Sequence, residues 1–149
     1  MKLVVLDASV ISKWFIEEED SDKALEIRDL YVQGRIGLSS PMLVLYELGN
    51  VFLKHPSLTV EDSRKAFEAL LDLQIELKSF ADVGLLKNCL EVSKRFNTTF
   101  YDASYVALSM LYDTDLVTAD EQLYEKIREK VKAFLLRQLS IQELVRQLS

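Results

Sequence analysis

The chain has 149 residues, 49% of them hydrophobic and 28% charged, with a formal net charge of −6. That length and balance predict one globular domain with room for a proper core and exclude a disordered chain. The acidic balance excludes simple nucleic-acid binding through a broad basic face, though not an acidic site that meets phosphate through bound cations.

The apolar run "KLVVLD" over 2–7 predicts a short strand buried on both faces, closed by Asp7. Residues 9–18 read as a short helix with Val10, Ile11, Trp14 and Phe15 on one side. Over 21–33 the apolar positions Ala24, Ile27, Leu30 and Tyr31 recur at helical spacing, and Gly34 stops the helix. "IGLSSP" predicts a brief strand, followed by a helix from 42 to 54 and another from Val60 to about Gln74, with Thr59 as its N-cap and Asp62 three residues on. "IELKSF", 75–80, alternates as a strand does, and Asp82 opens a helix running to Phe96. A helix over 101–112 precedes "DLVTAD", 115–120, which repeats the opening pattern of apolar strand, terminal aspartate and helix. "VKAFLL", 131–136, is a last strand. The final "SIQELVRQLS" sets Ile141, Leu144, Val145 and Leu148 on one helical stripe, to pack on its own sheet or on a partner.

There is no repeat and no linker rich in proline or glycine, so one domain over 1–149 is expected. Strands alternating with helices predict an α/β fold, a doubly wound and mainly parallel sheet of about five strands flanked by helices. The apolar runs are too short to span a bilayer, and the N-terminus lacks the pattern of a secretory signal. The lone cysteine, Cys89, cannot form an internal disulfide, which fits a cytoplasmic protein. A single histidine, His55, argues against a His/Cys zinc site and against a Ser-His-Asp triad.

In such sheets ligands bind beyond the carboxyl ends of the strands. Asp7 and Asp120 end two strands and share that edge if the strands are neighbours. Glu47 in "LVLYELGNVF" and Asp102 in "TTFYDASYVALSML" lie in helices amid apolar or small residues. A carboxylate on an apolar helix needs a partner or a metal ion. Each acid has a structural reading: Asp7 and Asp120 as helix caps, Asp102 in a first turn capped by Thr98 or Thr99, Glu47 paired to Lys54 or Arg35. If all four meet at one sheet edge, their repulsion calls for a cation, and an oxygen-only donor set selects magnesium or manganese. Such ions activate water and stabilise charge on a scissile phosphate.

"VLDASV", "YELGNV", "YDASYVALS" and "LVTADEQL", in this order and spacing, resemble the motifs of PIN-domain ribonucleases. Within them the sequence is similar to the single-domain toxins of VapBC toxin–antitoxin pairs, and the resemblance covers nearly the whole chain. The resemblance implies a metal-dependent endoribonuclease with Asp7, Glu47, Asp102 and Asp120 as its catalytic, metal-holding acids. Ser9 and Thr118 match the family's hydroxyl positions and are expected to orient those carboxylates, while Asn50, one turn after Glu47, is a weaker candidate for the same site. It further implies an RNA substrate, a VapB-like antitoxin covering the pocket, and a homodimer formed through the helices at 21–33 and 42–54. A basic rim for RNA would draw on Lys13 first, then Lys87, Lys94 and Arg95. Trp14 and Phe15 are either base-stacking platforms or core.

Other phosphate-handling folds fit less well. Receiver domains need paired acids at the end of the first strand, and haloacid-dehalogenase-like phosphatases need a second aspartate where Ser9 stands. Glycine-rich dinucleotide and phosphate loops are absent. The remaining alternative is a PIN-like fold used as a non-catalytic protein- or RNA-binding module.

Overall fold

Five parallel strands form one sheet among the described residues, 1–146, of this computed structural model. In chain order the elements are β1 (Leu3–Leu6), α1 (Ala8–Ile11), a 3₁₀ turn (Ser12–Trp14), α2 (Ser21–Val32), β2 (Gly37–Pro41), α3 (Val44–Lys54) and α4 (Val60–Asp72). They continue with β3 (Glu76–Lys78), α5 (Val83–Phe96), α6 (Phe100–Leu111), β4 (Leu116–Thr118), α7 (Glu121–Ile127), β5 (Ala133–Leu135) and α8 (Ile141–Arg146). The strand order is β3-β2-β1-β4-β5, every neighbouring pair parallel. The predicted doubly wound α/β fold is therefore the observed one.

This order decides where chemistry can happen. The chain winds outward from β1 through β2 to β3, then starts again on the other side of β1 with β4 and β5. The switch point lies between β1 and β4, where Val5 pairs with Leu116 and Leu6 with Val117. Helices leaving neighbouring strands in opposite directions open a crevice there.

The core explains why the strands are so apolar. Val4, Val5, Leu6, Leu116 and Val117 are fully buried, as a strand covered on both faces requires. In β2 the buried Ser39 and Ser40 are tolerated because their hydroxyls donate to Glu76 Oε1 at 2.7 Å and to the Leu6 carbonyl. Helix starts follow local chemistry. Thr59 and Asp62 form a reciprocal capping box on α4, and Asp82 accepts the Leu85 amide at 2.9 Å to open α5.

Several boundaries differ from the sequence reading. The first helix, expected over 9–18, is one α turn and a 3₁₀ turn ending at Trp14. Ser21 closes the chain behind it, its hydroxyl accepting from the Glu18 amide and donating to the Ile16 carbonyl. Helix α3 starts at Val44 rather than 42 because the Met42 amide still bonds to Lys78 beside β3. The strands expected over 75–80, 115–120 and 131–136 shrink to three residues each.

Trp14 is a core residue, and Phe15 is partly buried against the core. The Trp14 indole donates to the Ala24 carbonyl at 2.8 Å, and Phe15 meets Phe52 edge-on at 6.1 Å. The stripe on α8 packs inward as well: Leu144 is fully buried, Ile141 and Val145 are partly buried against the core, and the helix touches α2. Leu148, the fourth member of that stripe, lies outside the described residues. No helix among the described residues is long and apolar enough to cross a membrane.

Candidate active site

Asp7 occupies the first position beyond β1, with extended backbone at φ −92° and ψ 175°. It stands where the N-cap of α1 would stand, yet its side chain makes no capping hydrogen bond. The carboxylate instead accepts two hydroxyl protons, from Ser9 on Oδ1 and from Thr118 on Oδ2, each at 2.5 Å. Both hydroxyls are held from behind: Ser9 Oγ accepts the Ala119 amide at 2.9 Å and Thr118 Oγ1 the Asp120 amide at 3.0 Å. The end of β4 thus grips the end of β1 through two hydroxyls that have no rotational freedom left to spare.

That grip holds an anion in an unfavourable place. Asp7 is only 5% exposed, and burial pushes its carboxyl up to about 6, against the lowering pull of the Ser9 and Thr118 hydroxyls. The charges of Asp102 and Glu47 raise it further. No cationic side chain is among the groups acting on it.

Glu47 lies half-buried in the first turn of α3, and Tyr105 donates its phenol proton to Glu47 Oε1 at 2.6 Å. This corrects the expected pairing with Lys54 or Arg35: the partner is a neutral hydroxyl. Burial raises the Glu47 carboxyl, the Tyr105 hydrogen bond lowers it, and the Asp102 charge raises it again. Tyr105 is 1% exposed and also receives a backbone hydrogen bond from Ala8, so its hydroxyl joins α6 to both α3 and the residue after Asp7. Replacing Tyr105 with phenylalanine is expected to move the Glu47 titration upward in ¹³C-detected NMR. The accompanying loss of stability should be about 1 kcal/mol, because half-buried Glu47 recovers part of its hydrogen bonding from water.

Asp102 sits in the first turn of α6, and its amide donates to the N-cap Thr99 hydroxyl at 3.0 Å. Burial and the Asp120 charge raise its carboxyl, while Thr99 and the Lys126 charge lower it. Asp120 caps α7, Oδ1 accepting the Gln122 and Leu123 amides at 2.9 and 3.1 Å. The electrostatic influences run without a gap from Glu47 and Asp7 to Asp102 and from Asp102 to Asp120. The four acids, on four separate elements, share one neighbourhood at the switch point.

Among the described residues no three His, Cys, Asp or Glu side chains are drawn into a ready-made metal cage. Mutual repulsion disfavours close approach of four carboxylates, and a hard cation such as magnesium keeps several waters while taking only one or two carboxylates directly. Asp7, Glu47, Asp102 and Asp120 supply oxygen donors alone, which suits that kind of ion.

The other candidates divide. Ser9 and Thr118 touch Asp7 directly. Asn50 shares a cavity of about 250 Å³ with Leu43, Tyr46, Glu47 and Tyr101. Lys13 does not face the acids; its ammonium bonds to Glu18 at 3.2 Å and to the Glu19 carbonyl at 2.8 Å. On α5, Lys87 pairs with Glu91, Arg95 lies over the Phe96 ring, and Lys94 is exposed. Two residues that act on the acids, Tyr105 and Lys126, were missed from sequence. Tyr105 carried a signal, since it follows Asp102 by three positions and therefore shares its helical face. Lys126 carried none; its ammonium bonds to the Asn97 carbonyl at 2.7 Å, 29 residues away.

The PIN domain family model matches residues 4–130. The chain is similar to Ribonuclease VapC3 of Pyrobaculum aerophilum, with 33% identity over 129 residues that make up 85% of this chain and 95% of that protein. Among solved structures it resembles PAE2754 from Pyrobaculum aerophilum, at 26% identity and a TM-score of 0.62, covering 99% of this chain and 96% of that one. It also shares its fold with FitAcB from Neisseria gonorrhoeae, at 16% identity and a TM-score of 0.64 over 91% of this chain and 99% of that one. VapBC2 from Rickettsia felis, bound to a DNA fragment from its promoter, gives a TM-score of 0.65 at 14% identity, over 89% and 98% of the two chains.

Proposed function

The chain belongs to the PIN-domain family, and from that premise we propose that it is a metal-dependent endoribonuclease, the toxin of a type II toxin–antitoxin pair. One observation carries the reading: a buried carboxylate, Asp7, clamped by the Ser9 and Thr118 hydroxyls, with Glu47 and Asp102 in electrostatic reach and Asp120 in reach of Asp102. A purely structural aspartate at this place would cap α1, and Asp7 does not. The 33% identity to a ribonuclease supports the same reaction.

Asp7, Glu47, Asp102 and Asp120 would hold magnesium or manganese, which would supply activation of water and a positive charge beside the scissile phosphate. The protein does the positioning. Ser9 and Thr118 fix the Asp7 oxygens, Tyr105 fixes one Glu47 oxygen, and the α7 amides fix one Asp120 oxygen, so these three acids keep their aim without reorganising. Lys126 tempers the charge on Asp102 from outside the cluster.

One PIN domain accounts for residues 1–149, acting in the cytoplasm on RNA. The partners that fit are a second copy, meeting through α2 and α3 where Val32 and Leu53 stand exposed, and a VapB-like antitoxin. An antitoxin arm offering arginine to the four acids would add counter-charge to that of Lys126. The test is cleavage mapping on total cellular RNA. Discrete cuts with manganese and none with EDTA are expected; cuts that persist in EDTA, or no cuts at all, overturn the reading.

A further inference from the structure

Phosphate neutralisation, the usual source of nucleic-acid affinity, is poorly available to this chain. Its net charge is −6, the four acids repel a phosphate backbone, and Lys13 is already bound to Glu18 and the Glu19 carbonyl. An RNA strand needs another source of grip beside the site. Trp14 and Phe15, which the sequence leaves as either stacking platforms or core, pack into and against the core.

Two other aromatics stand in the right place. Tyr46 is 77% exposed and Tyr101 60% exposed, and each immediately precedes one of the four acids, Glu47 and Asp102. They come from different helices, α3 and α6, yet line the same cavity of about 250 Å³. Leu43 gives that cavity an apolar wall, Asn50 contributes an amide with both donors and acceptors, and Glu47 joins it to the acids. A phenol ring left in water gains nothing for the fold, whereas a base stacked on it gains about 1–3 kcal/mol without any dependence on charge.

We propose that Tyr46 and Tyr101 form a nucleobase-stacking subsite that takes an unpaired base of single-stranded RNA next to the phosphate being cut. Asn50 reads the edge of that base. A paired base is already stacked within its own helix, so duplex RNA cannot use the subsite. The inference rests on the ribonuclease reading and adds the residues that hold the base beside the cut.

The test uses the full chain and a single-stranded oligoribonucleotide carrying 2-aminopurine, whose fluorescence is quenched on stacking, in EDTA so that binding is read apart from cleavage. Quenching is expected with the native protein, and Tyr46→Ala and Tyr101→Ala should each weaken binding about tenfold. Tyr46→Phe keeps the ring and should bind as the native protein does. Val83→Ala, at an 84% exposed position on α5, is the surface control. In manganese the alanine variants should raise KM and leave kcat unchanged, with the slope of affinity against salt also unchanged, because no phosphate contact is lost.

Native protein that binds and cleaves RNA while both alanine variants match it overturns the subsite alone. Native protein that neither binds nor cleaves any RNA overturns the ribonuclease reading and the subsite together. Alanine variants that keep their RNA affinity but shift the sedimentation equilibrium of the chain assign the tyrosines to a protein contact, which also overturns the proposal.

Discussion

The Asp7→Asn variant is expected to cleave RNA at least about a hundredfold more slowly than the native chain while remaining folded. A preorganised group acting on developing charge contributes roughly 3–4 kcal/mol, which sets that scale. Survival of the fold follows from two opposing effects. The amide must turn one NH donor toward a Ser9 or Thr118 hydroxyl that now donates, a mismatch costing about 1–3 kcal/mol. Against this, the substitution removes a buried charge whose carboxyl is pushed up to about 6. The folded pKa lies above the ordinary value of about 4, so the folded chain keeps a proton that the unfolded chain gives up. That contribution is fully present below about pH 4 and is lost as pH rises through 6, up to about 3 kcal/mol in all. Denaturant melts in EDTA should therefore show native stability falling between pH 4 and 6, with Asp7→Asn lacking this component. Unchanged manganese-dependent cleavage in the variant would remove Asp7 from the catalytic role.

Manganese at a hundredfold excess over its Kd should stabilise the native chain by about 2.7 kcal/mol, or roughly 5–10 °C in Tm for a chain of this length. The cause is relief of the repulsion among Asp7, Glu47, Asp102 and Asp120, so changing all four to amides should abolish the shift. The variant's own Tm in EDTA should match or exceed that of the native chain. A non-catalytic binding module would show neither the shift nor its loss. Differential scanning calorimetry with and without the ion decides between them.

The acids could be read from the sequence because each breaks a strong apolar pattern. An aspartate ending "KLVVL" or "LVT" can only sit at a strand end, and parallel neighbours put such ends on the same edge. Ser9 and Thr118 came from the resemblance to PIN-domain motifs, and both bond to Asp7. The Glu47 partner was not readable, because the reading sought a charge nearby in sequence and a half-buried carboxylate is equally served by a neutral phenol 58 residues away. Lys13 failed for a local reason: the acidic run that follows it supplies Glu18. The first helix was overextended because Trp14 and Phe15 continue an apolar pattern that the Ser21 hydrogen bonds cut short.

The hydroxyl clamp on Asp7 joins distant parts of the chain. Thr118 lies 111 residues after Asp7, and the pairing of β1 with β4 brings them together. A ribosome that has released only the first hundred residues therefore carries a chain with Asp7 and Glu47 but no Asp102, Thr118 or Asp120. That fragment holds two of the four acids and half of the clamp, which closes only when β4 pairs with β1. The candidate centre is therefore divided between the two ends of the chain, and cutting the chain between them leaves neither piece with a complete set.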